Sequence, residues 1–284
     1  MTRSSAPGGM TWKVALGDAR ERLKDVSDAS VDLVLTDPPY PEIDRAYGRL
    51  TVREWKFLMA DVVRETRRVL KPSGSAVFVI QPNSEFVGRV RPWAFEFMAW
   101  VAKTWNLVQD VWWWNTAAMP TVHTTREHGL MRASIKACVW AGAPACFRDQ
   151  QAVLWEMAEA TKLDKRVDRA NVDYKPSGHH VRQGRALTTA LERGGVTPFN
   201  LIPVANTNSS DSSGASGHGA GTPYALARWW VRYACPEGGL VLDPFCGAGT
   251  IGEAALRAGR NFMGSDRDPG SVKLATERLT VAQS

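Results

Sequence analysis

The 284-residue sequence predicts an α/β fold, a mostly parallel sheet with helices on both faces. Three observations predict it. Short apolar runs alternate with helical patterns along most of the chain. The segment Gly239-Leu240-Val241-Leu242-Asp243-Pro244-Phe245-Cys246-Gly247-Ala248-Gly249-Thr250 carries an apolar strand into a glycine-rich turn and then a helical stretch. The apolar run 31–36 stops abruptly at Asp37-Pro38-Pro39-Tyr40.

The elements follow in chain order. Residues 1–10 are rich in Ser, Gly and Pro and read as a loose tail. Residues 31–35 form a continuous buried strand. Over 53–70 the apolar positions Trp55, Leu58, Met59, Val62, Val63, Val69 and Leu70 fit one face of a helix, which Lys71-Pro72-Ser73-Gly74 ends. Residues 75–80 are the next strand, 86–104 a second helix, 106–114 and 133–141 two further strands. Residues 222–234 form a helix that feeds the strand beginning at Leu240; 251–258 is the helix after the turn, and 261–264 a short strand. Between 147 and 217 this rhythm is lost. Asn206 to Gly221 is rich in Ser, Gly and Asn with almost no apolar residue, the composition of a flexible loop.

Asp37-Pro38-Pro39-Tyr40 has a chemical logic beyond a turn. Two prolines fix φ near −65° and remove two donors, so the strand stops with its carbonyls turned outward and unpaired. A carboxylate, rigid acceptors and an aromatic face then gather at the carboxyl end of a strand, where open α/β sheets bind ligands. Such a set suits a planar base bearing an exocyclic amine. In the second segment Gly247 and Gly249 permit a tight turn and close approach of backbone N–H groups to a ligand. Asp266 lies 23 positions beyond Asp243, placed to accept hydrogen bonds from ribose hydroxyls. A phosphate-cradling loop is excluded because no Gly-Lys-Ser/Thr follows the turn. A nicotinamide site fits the glycines but leaves the two prolines unexplained.

The formal charge of +6 and pI near 9.3 favour a polyanionic partner. Much of the surplus lies in one stretch, where Lys162, Lys165, Arg166, Arg169, Lys175, Arg182, Arg185 and Arg193 face four acids. These side chains suit phosphate contacts that set register on a duplex; a solvated, charged linker is the alternative. Cys138, Cys146, Cys235 and Cys246 have no C-x-x-C spacing, and His179-His180 has no cysteine at finger spacing, so neither metal nor disulfide is expected. With no run of 18 apolar residues and no apolar signal core, a cytoplasmic protein without a membrane span is expected. Alternation in a strand sends Trp112 and Trp114 to one face and Trp113 to the other, so most of these rings, like Trp229 and Trp230, read as core rather than as base-stacking platforms.

Together Asp37-Pro38-Pro39-Tyr40 and Asp243-Pro244-Phe245-Cys246-Gly247-Ala248-Gly249-Thr250 resemble the motifs of the DNA amino-methyltransferases, which methylate adenine N6 or cytosine N4 with S-adenosylmethionine. The catalytic motif precedes the cofactor motif, similar to the circularly permuted order of the β class. Gly17-Asp18, Leu70-Lys71-Pro72-Ser73-Gly74, residues 111–120, Arg126-Glu127-His128 and 218–223 resemble further family segments, so that most of 12–148 and 218–279 is covered. Thr222 stands where the family has a lysine, and Gly219 where it has a proline.

The resemblance implies a Rossmann-like catalytic domain from 11–147 and 218–284, with a small target-recognition segment inserted at 148–217 and a flexible loop at 206–221. It implies catalysis by Asp37, Pro38, Pro39 and Tyr40, and double-stranded DNA as partner. The backbone around Phe245, Cys246, Gly247, Gly249 and Thr250 would meet the methionine part of S-adenosylmethionine, Asp266 the ribose and Asp18 the adenine amine. Asp243 would be a supporting or methionine-amine partner, and Ala19, Asp37, Thr222, Pro223 and Arg267 complete the cofactor site. Tyr40, Lys162, Lys165, Arg166, Arg169, Lys175, Arg182 and Arg185 would contact nucleic acid, and Glu127 and His128 would line the base pocket or form a surface pair. A second copy of the chain and a restriction endonuclease are both compatible partners.

The chemistry explains the residue types. An exocyclic amine is a poor nucleophile because its lone pair is delocalised. If Asp37 accepts one N–H and the Pro38 carbonyl the other, the nitrogen moves toward tetrahedral geometry for an in-line displacement without a covalent enzyme intermediate. Positioning of this kind is worth roughly 7–11 kcal/mol in favourable cases. Adenine is expected because family members with aspartate at the first motif position are mostly N6-adenine enzymes, whereas serine marks most N4-cytosine ones. An RNA or protein-amide methyltransferase and a catalytically silent nucleic-acid-binding subunit are the rival readings.

Overall fold

The run 31–36 folds as strand β3 (Val31–Thr36), buried at every position because it is a parallel strand covered on both faces. The computed structural model describes residues 2–4, 9–44, 48–118, 128–156, 172–174, 180–182, 189–206 and 221–284. Before β3 stand β1 (Thr2–Ser4), β2 (Trp12–Leu16) and α1 (Ala19–Lys24). After it come α2 (Val52–Val69), β4 (Leu70–Ile80), β5 (Ser84–Phe86), β6 (Arg89–Val90), α3 (Trp93–Thr104), β7 (Leu107–Trp114) and β8 (Ile135–Gly142). The remainder comprises β9 (Val172–Tyr174), β10 (His180–Arg182), β11 (Leu201–Pro203), α4 (Tyr224–Ala234), β12 (Leu240–Asp243), α5 (Thr250–Arg257), β13 (Asn261–Asp266) and α6 (Pro269–Gln283).

Among the described residues, nine strands form one sheet in the order β1-β2-β13-β12-β3-β4-β8-β7-β11. All run parallel except β8, which opposes both neighbours, and β1, which opposes β2. From β12 the chain crosses through α5 to β13 on one side; from β3 it crosses through α2 to β4 on the other. The carboxyl ends of β12 and β3 therefore flank a topological switch point, where open α/β sheets form their binding crevice.

Strand alternation divides the interior into two layers. Leu33, Leu35, Val77 and Val79 pack with Leu226, Trp230, Val231, Ala254 and Leu279 of α4, α5 and α6. Val34, Ala76, Phe78 and Ile80 pack with Leu23, Trp55, Met59, Val62, Trp93 and Phe97 of α1, α2 and α3. The helix expected at 53–70 starts at Val52 because Thr51 forms a capping box with Glu54, bonded in both directions. Trp113 and Trp230 are fully buried, Trp112 and Trp229 half-buried, while Trp114 at the end of β7 is exposed.

Several local expectations are corrected. The helix expected from residue 86 begins at Trp93; Gly88, at φ +82°, instead turns β5 into β6, and Pro92 occupies the N-cap. Lys71-Pro72-Ser73-Gly74 arches within β4, since Val31 pairs with Leu70 but Leu33 with Ser75. Gly74 is required there, because a Cβ would stand 2.9 Å from the Val31 carbonyl oxygen. Part of the expected tail, Thr2–Ser4, is an edge strand on β2. Asp149–Phe199 forms a second compact unit, and 201–203 joins the main sheet as β11 beside β7. Within that unit Trp155 pairs with Val196 and meets the Phe199 ring edge-on at 5.1 Å. No described helix is long and apolar enough to cross a membrane.

Candidate active site

Thr36 ends β3 and Asp243 ends β12, and the Thr36 hydroxyl donates to Asp243 Oδ1 across 2.7 Å at a fully buried position. The same oxygen accepts from the Phe245 N–H at 3.0 Å, which folds the chain sharply after β12. Gly247 takes φ +48° and Gly249 +79°, backbone that other residues rarely adopt, and no atom of the described residues lies where a Cβ of Gly247 would project. Asp266, at the end of β13, ties this turn down: Oδ2 accepts from the Gly247 N–H and Oδ1 from the Asp268 N–H, both at 2.9 Å. A carboxylate oxygen accepts more than one bond, so Asp266 keeps acceptor capacity toward a ligand.

Of the other expected cofactor residues, Asp18 stands beside this edge. Gly17 N–H donates to the Asp266 carbonyl at 2.9 Å, so Asp18 follows directly at the end of β2. Asp18 caps α1 and pairs with Arg20 at 2.9 Å; that bond holds its carboxyl below the ordinary range. Ala19 is buried beneath it, and Arg267 is exposed with its charge felt at Asp18. Pro223 is the N-cap of α4, and Thr222 before it is buried with its Oγ1 unbonded among the described residues. Thr250 opens α5, and the Cys246 side chain packs in the core beneath the turn, its thiol pushed well above the usual range by burial.

Burial dominates Asp243 as well. It raises the carboxyl to about 7 against the bonds from Thr36 and Phe245, and the charges of Asp266 and Asp37 add to the rise.

The Asp-Pro-Pro-Tyr motif is held by groups that local sequence does not reveal. The sequence predicts unpaired proline carbonyls, yet that of Pro39 accepts from the Trp55 indole N–H at 2.6 Å. Trp55 packs edge-on against Trp93 at 4.6 Å, whose indole N–H donates to Asn83 Oδ1 at 3.0 Å. Asn83 in turn donates to the Pro41 carbonyl at 2.6 Å. The backbone on the far side of Pro38 is thereby clamped, while no donor among the described residues meets the Pro38 carbonyl itself. The Tyr40 hydroxyl donates to the Val79 carbonyl at 3.3 Å, and its ring lies 5.8 Å from Trp93. Lys136, also outside the motifs, stands 3.6 Å from Asp37 Oδ2. Trp55, Asn83, Trp93 and Lys136 arise from separate elements, so no short spacing marks them.

Lys162, Lys165, Arg166, Arg169, Lys175, Arg185 and Glu127 lie outside the described residues, as do 207–220 of the expected loop. Arg182 falls in β10, paired with Val172 of β9, and His128 is exposed.

Residues 31–277 match the model of the N6/N4 DNA methylase family. The chain belongs to that family. It is 23% identical to the type II methyltransferase M.PvuII of Proteus hauseri over 290 residues, covering 93% of this chain and 82% of that protein. It is 26% identical to the DNA adenine methyltransferase YhdJ of Escherichia coli K12 over 277 residues, covering 94% and 82%. Among solved structures, the PvuII DNA methyltransferase, described as cytosine-N4-specific, superposes with a TM-score of 0.69 at 20% identity over 94% of this chain and 86% of that one. The DNA modification methylase TTHA0409 of Thermus thermophilus, solved complexed with S-adenosyl-L-methionine, gives 0.57 at 22% identity over 95% of each chain. At these identities the superpositions speak to the fold.

Two outcomes follow from this geometry. Because the Asp243 carboxyl is raised when folded, the neutral form is favoured by folding, and the stability it contributes is present near pH 4 and lost as pH rises through 7. Denaturation of ligand-free protein from pH 4 to 8 should show the wild type losing a few kcal/mol relative to Asp243→Asn, which does not titrate; parallel curves would contradict the assignment. Trp55→Phe keeps the packing but removes the donor to Pro39. It should cost about 1 kcal/mol in denaturant unfolding and lower methyl transfer roughly 10-fold, and unchanged turnover would show that the clamp is dispensable.

Proposed function

We propose that this protein is a site-specific DNA methyltransferase that uses S-adenosylmethionine to methylate the N6 amine of an adenine extruded from the duplex. The observation that carries the reading is the joining of Asp37-Pro38-Pro39-Tyr40 to the glycine turn at the switch point, through the Thr36–Asp243 bond. The residues present suit the cofactor: carboxylates at Asp18 and Asp266 for amine and hydroxyl donors, a turn open at Gly247, and the buried Thr222 hydroxyl, unbonded among the described residues. When bound, S-adenosylmethionine supplies an electrophilic methyl carbon on its sulfonium.

The chain's own groups do the positioning. Asp37 accepts one N–H of the amine and the Pro38 carbonyl the other, which draws the nitrogen out of conjugation and fixes the direction of its lone pair. The Asp37 carboxylate favours the charge that develops on that nitrogen and stands at the atom from which the proton departs. Extruding a nucleotide costs on the order of a few kcal/mol, and stacking on Tyr40 offsets part of it; the ring's own anchoring on Val79 and Trp93 keeps that face in place. The basic segment containing Lys162, Lys165, Arg166, Arg169, Lys175, Arg182 and Arg185 supplies phosphate contacts.

Aspartate at position 37 supports adenine. The likeness to the cytosine-N4-specific PvuII enzyme favours the second reading, methylation of cytosine N4. Labelled cofactor and duplex DNA, followed by digestion to nucleosides, separate them: N6-methyladenine is expected, N4-methylcytosine alone would reassign the base, and label confined to RNA or protein would overturn the substrate class. Asp37→Ala should lower transfer on the order of 10³-fold while calorimetry shows cofactor affinity largely retained. An active Asp37→Ala enzyme would sink the mechanism.

A further inference from the structure

Lys136 is the second residue of β8, and the antiparallel course of that strand brings its beginning to the carboxyl end of β4, where Ile80 pairs with Ala137. Its ammonium lies 3.6 Å from Asp37 Oδ2, 5.3 Å from the centre of the Tyr40 ring and 4.9 Å from that of Trp113. The Lys136 and Asp37 side chains are only 14% and 13% exposed. A lysine so withdrawn from water needs compensating partners, and a carboxylate with two aromatic faces provides them. Breaking such a pair by removing one partner is costlier than the pair's net worth, so each member constrains the other.

We propose that Lys136 is a positioning residue for methyl transfer: its ammonium engages Asp37 Oδ2 and braces the Tyr40 ring, which holds the carboxylate and the ring that meet the substrate base. This rests on the function proposed above. Direct stabilisation of the reaction is not its role, because a second positive charge opposes the one developing on the amine nitrogen. Its benefit is geometric, fixing the acceptor and the stacking face with one group. The other titratable groups around the pair are Asp243 on β12, whose carboxyl senses both Asp37 and Asp266 of β13, and the buried Cys138 thiol on β8, which senses Asp37 and Lys136. Tyr40 is a further such group among the described residues. Removing the ammonium takes away a positive charge beside Asp37 while the Asp243 carboxyl stays near, which favours the neutral form of Asp37 and loosens its rotamer.

The test compares wild type with Lys136→Met and Lys136→Arg. Steady-state methylation across pH gives kcat and KM, and carbon-13 NMR of the side-chain carboxyls in ligand-free protein follows Asp37, identified by the signal lost in Asp37→Asn. For Lys136→Met, kcat should fall roughly 10- to 100-fold with cofactor KM little changed. The acid limb of the kcat profile and the Asp37 titration should both move to higher pH, and Lys136→Arg should recover most of the activity. If the apolar variant does not fold, Lys136→Gln makes the same comparison. A charge-free variant with the wild-type Asp37 titration and pH profile overturns the proposal. If wild type transfers no methyl group but the Asp37 titration still moves, the pairing stands and the functional reading alone fails.

Discussion

The Thr36–Asp243 hydrogen bond is the constraint on which the candidate site depends. β3 and β12 meet through only two backbone pairs in register, Val241 with Leu33 and Leu242 with Val34, and side chains close both ends of this seam. At the amino end Asp32 accepts from the Leu240 N–H and from Lys71, each at 2.8 Å. At the carboxyl end the Thr36 hydroxyl reaches Asp243 in a fully buried site, where an unpaired polar group costs about 1–3 kcal/mol. The first motif begins at the residue after Thr36 and the second at Asp243 itself, so this bond sets the distance between them. Left-and-right divergence of the crossovers from β12 and β3 keeps helices clear of that point.

From there the two halves are stiffened by different means. The glycine turn is held by a carboxylate at its rim, Asp266, which exchanges backbone freedom for two charge-assisted bonds. The proline motif has few donors of its own and borrows rigidity from two helices, through the indoles of Trp55 and Trp93 and the amide of Asn83. Such a frame supports chemistry by alignment rather than by a strong base. Asp37 and Asp266 both lie close enough to act on the Asp243 carboxyl, and Lys136 supplies a balancing positive charge beside Asp37.

The fold was legible wherever the signal was local. Continuous apolarity at 31–36, the amphipathic pattern of α2 and the strand-turn-helix after Leu240 each predict their element, since burial on two faces or one leaves a period in the sequence. The motifs were legible because proline and glycine state their backbone geometry outright. The hairpin at 84–90 lies inside the stretch 86–104 that reads as a helix; Phe86, Val87 and Val90 are all exposed there and Gly88 decides the turn. Lys136, Trp55 and Asn83 could not be found by spacing: Lys136 is 99 positions from Asp37, and only the reversed direction of β8 brings them together. Pro39 illustrates the same limit, since the donor to its carbonyl sits a full loop away on α2.

A double-mutant cycle on unfolding free energy, with Thr36→Val, Asp243→Ala and the pair, measured at pH 8 where the wild-type carboxylate is ionised, tests the central constraint most directly. A coupling of about 1.5–3 kcal/mol is predicted for a buried hydroxyl–carboxylate bond. Additive single changes, with no coupling, would mean that the two motif strands are brought together by something other than this bond.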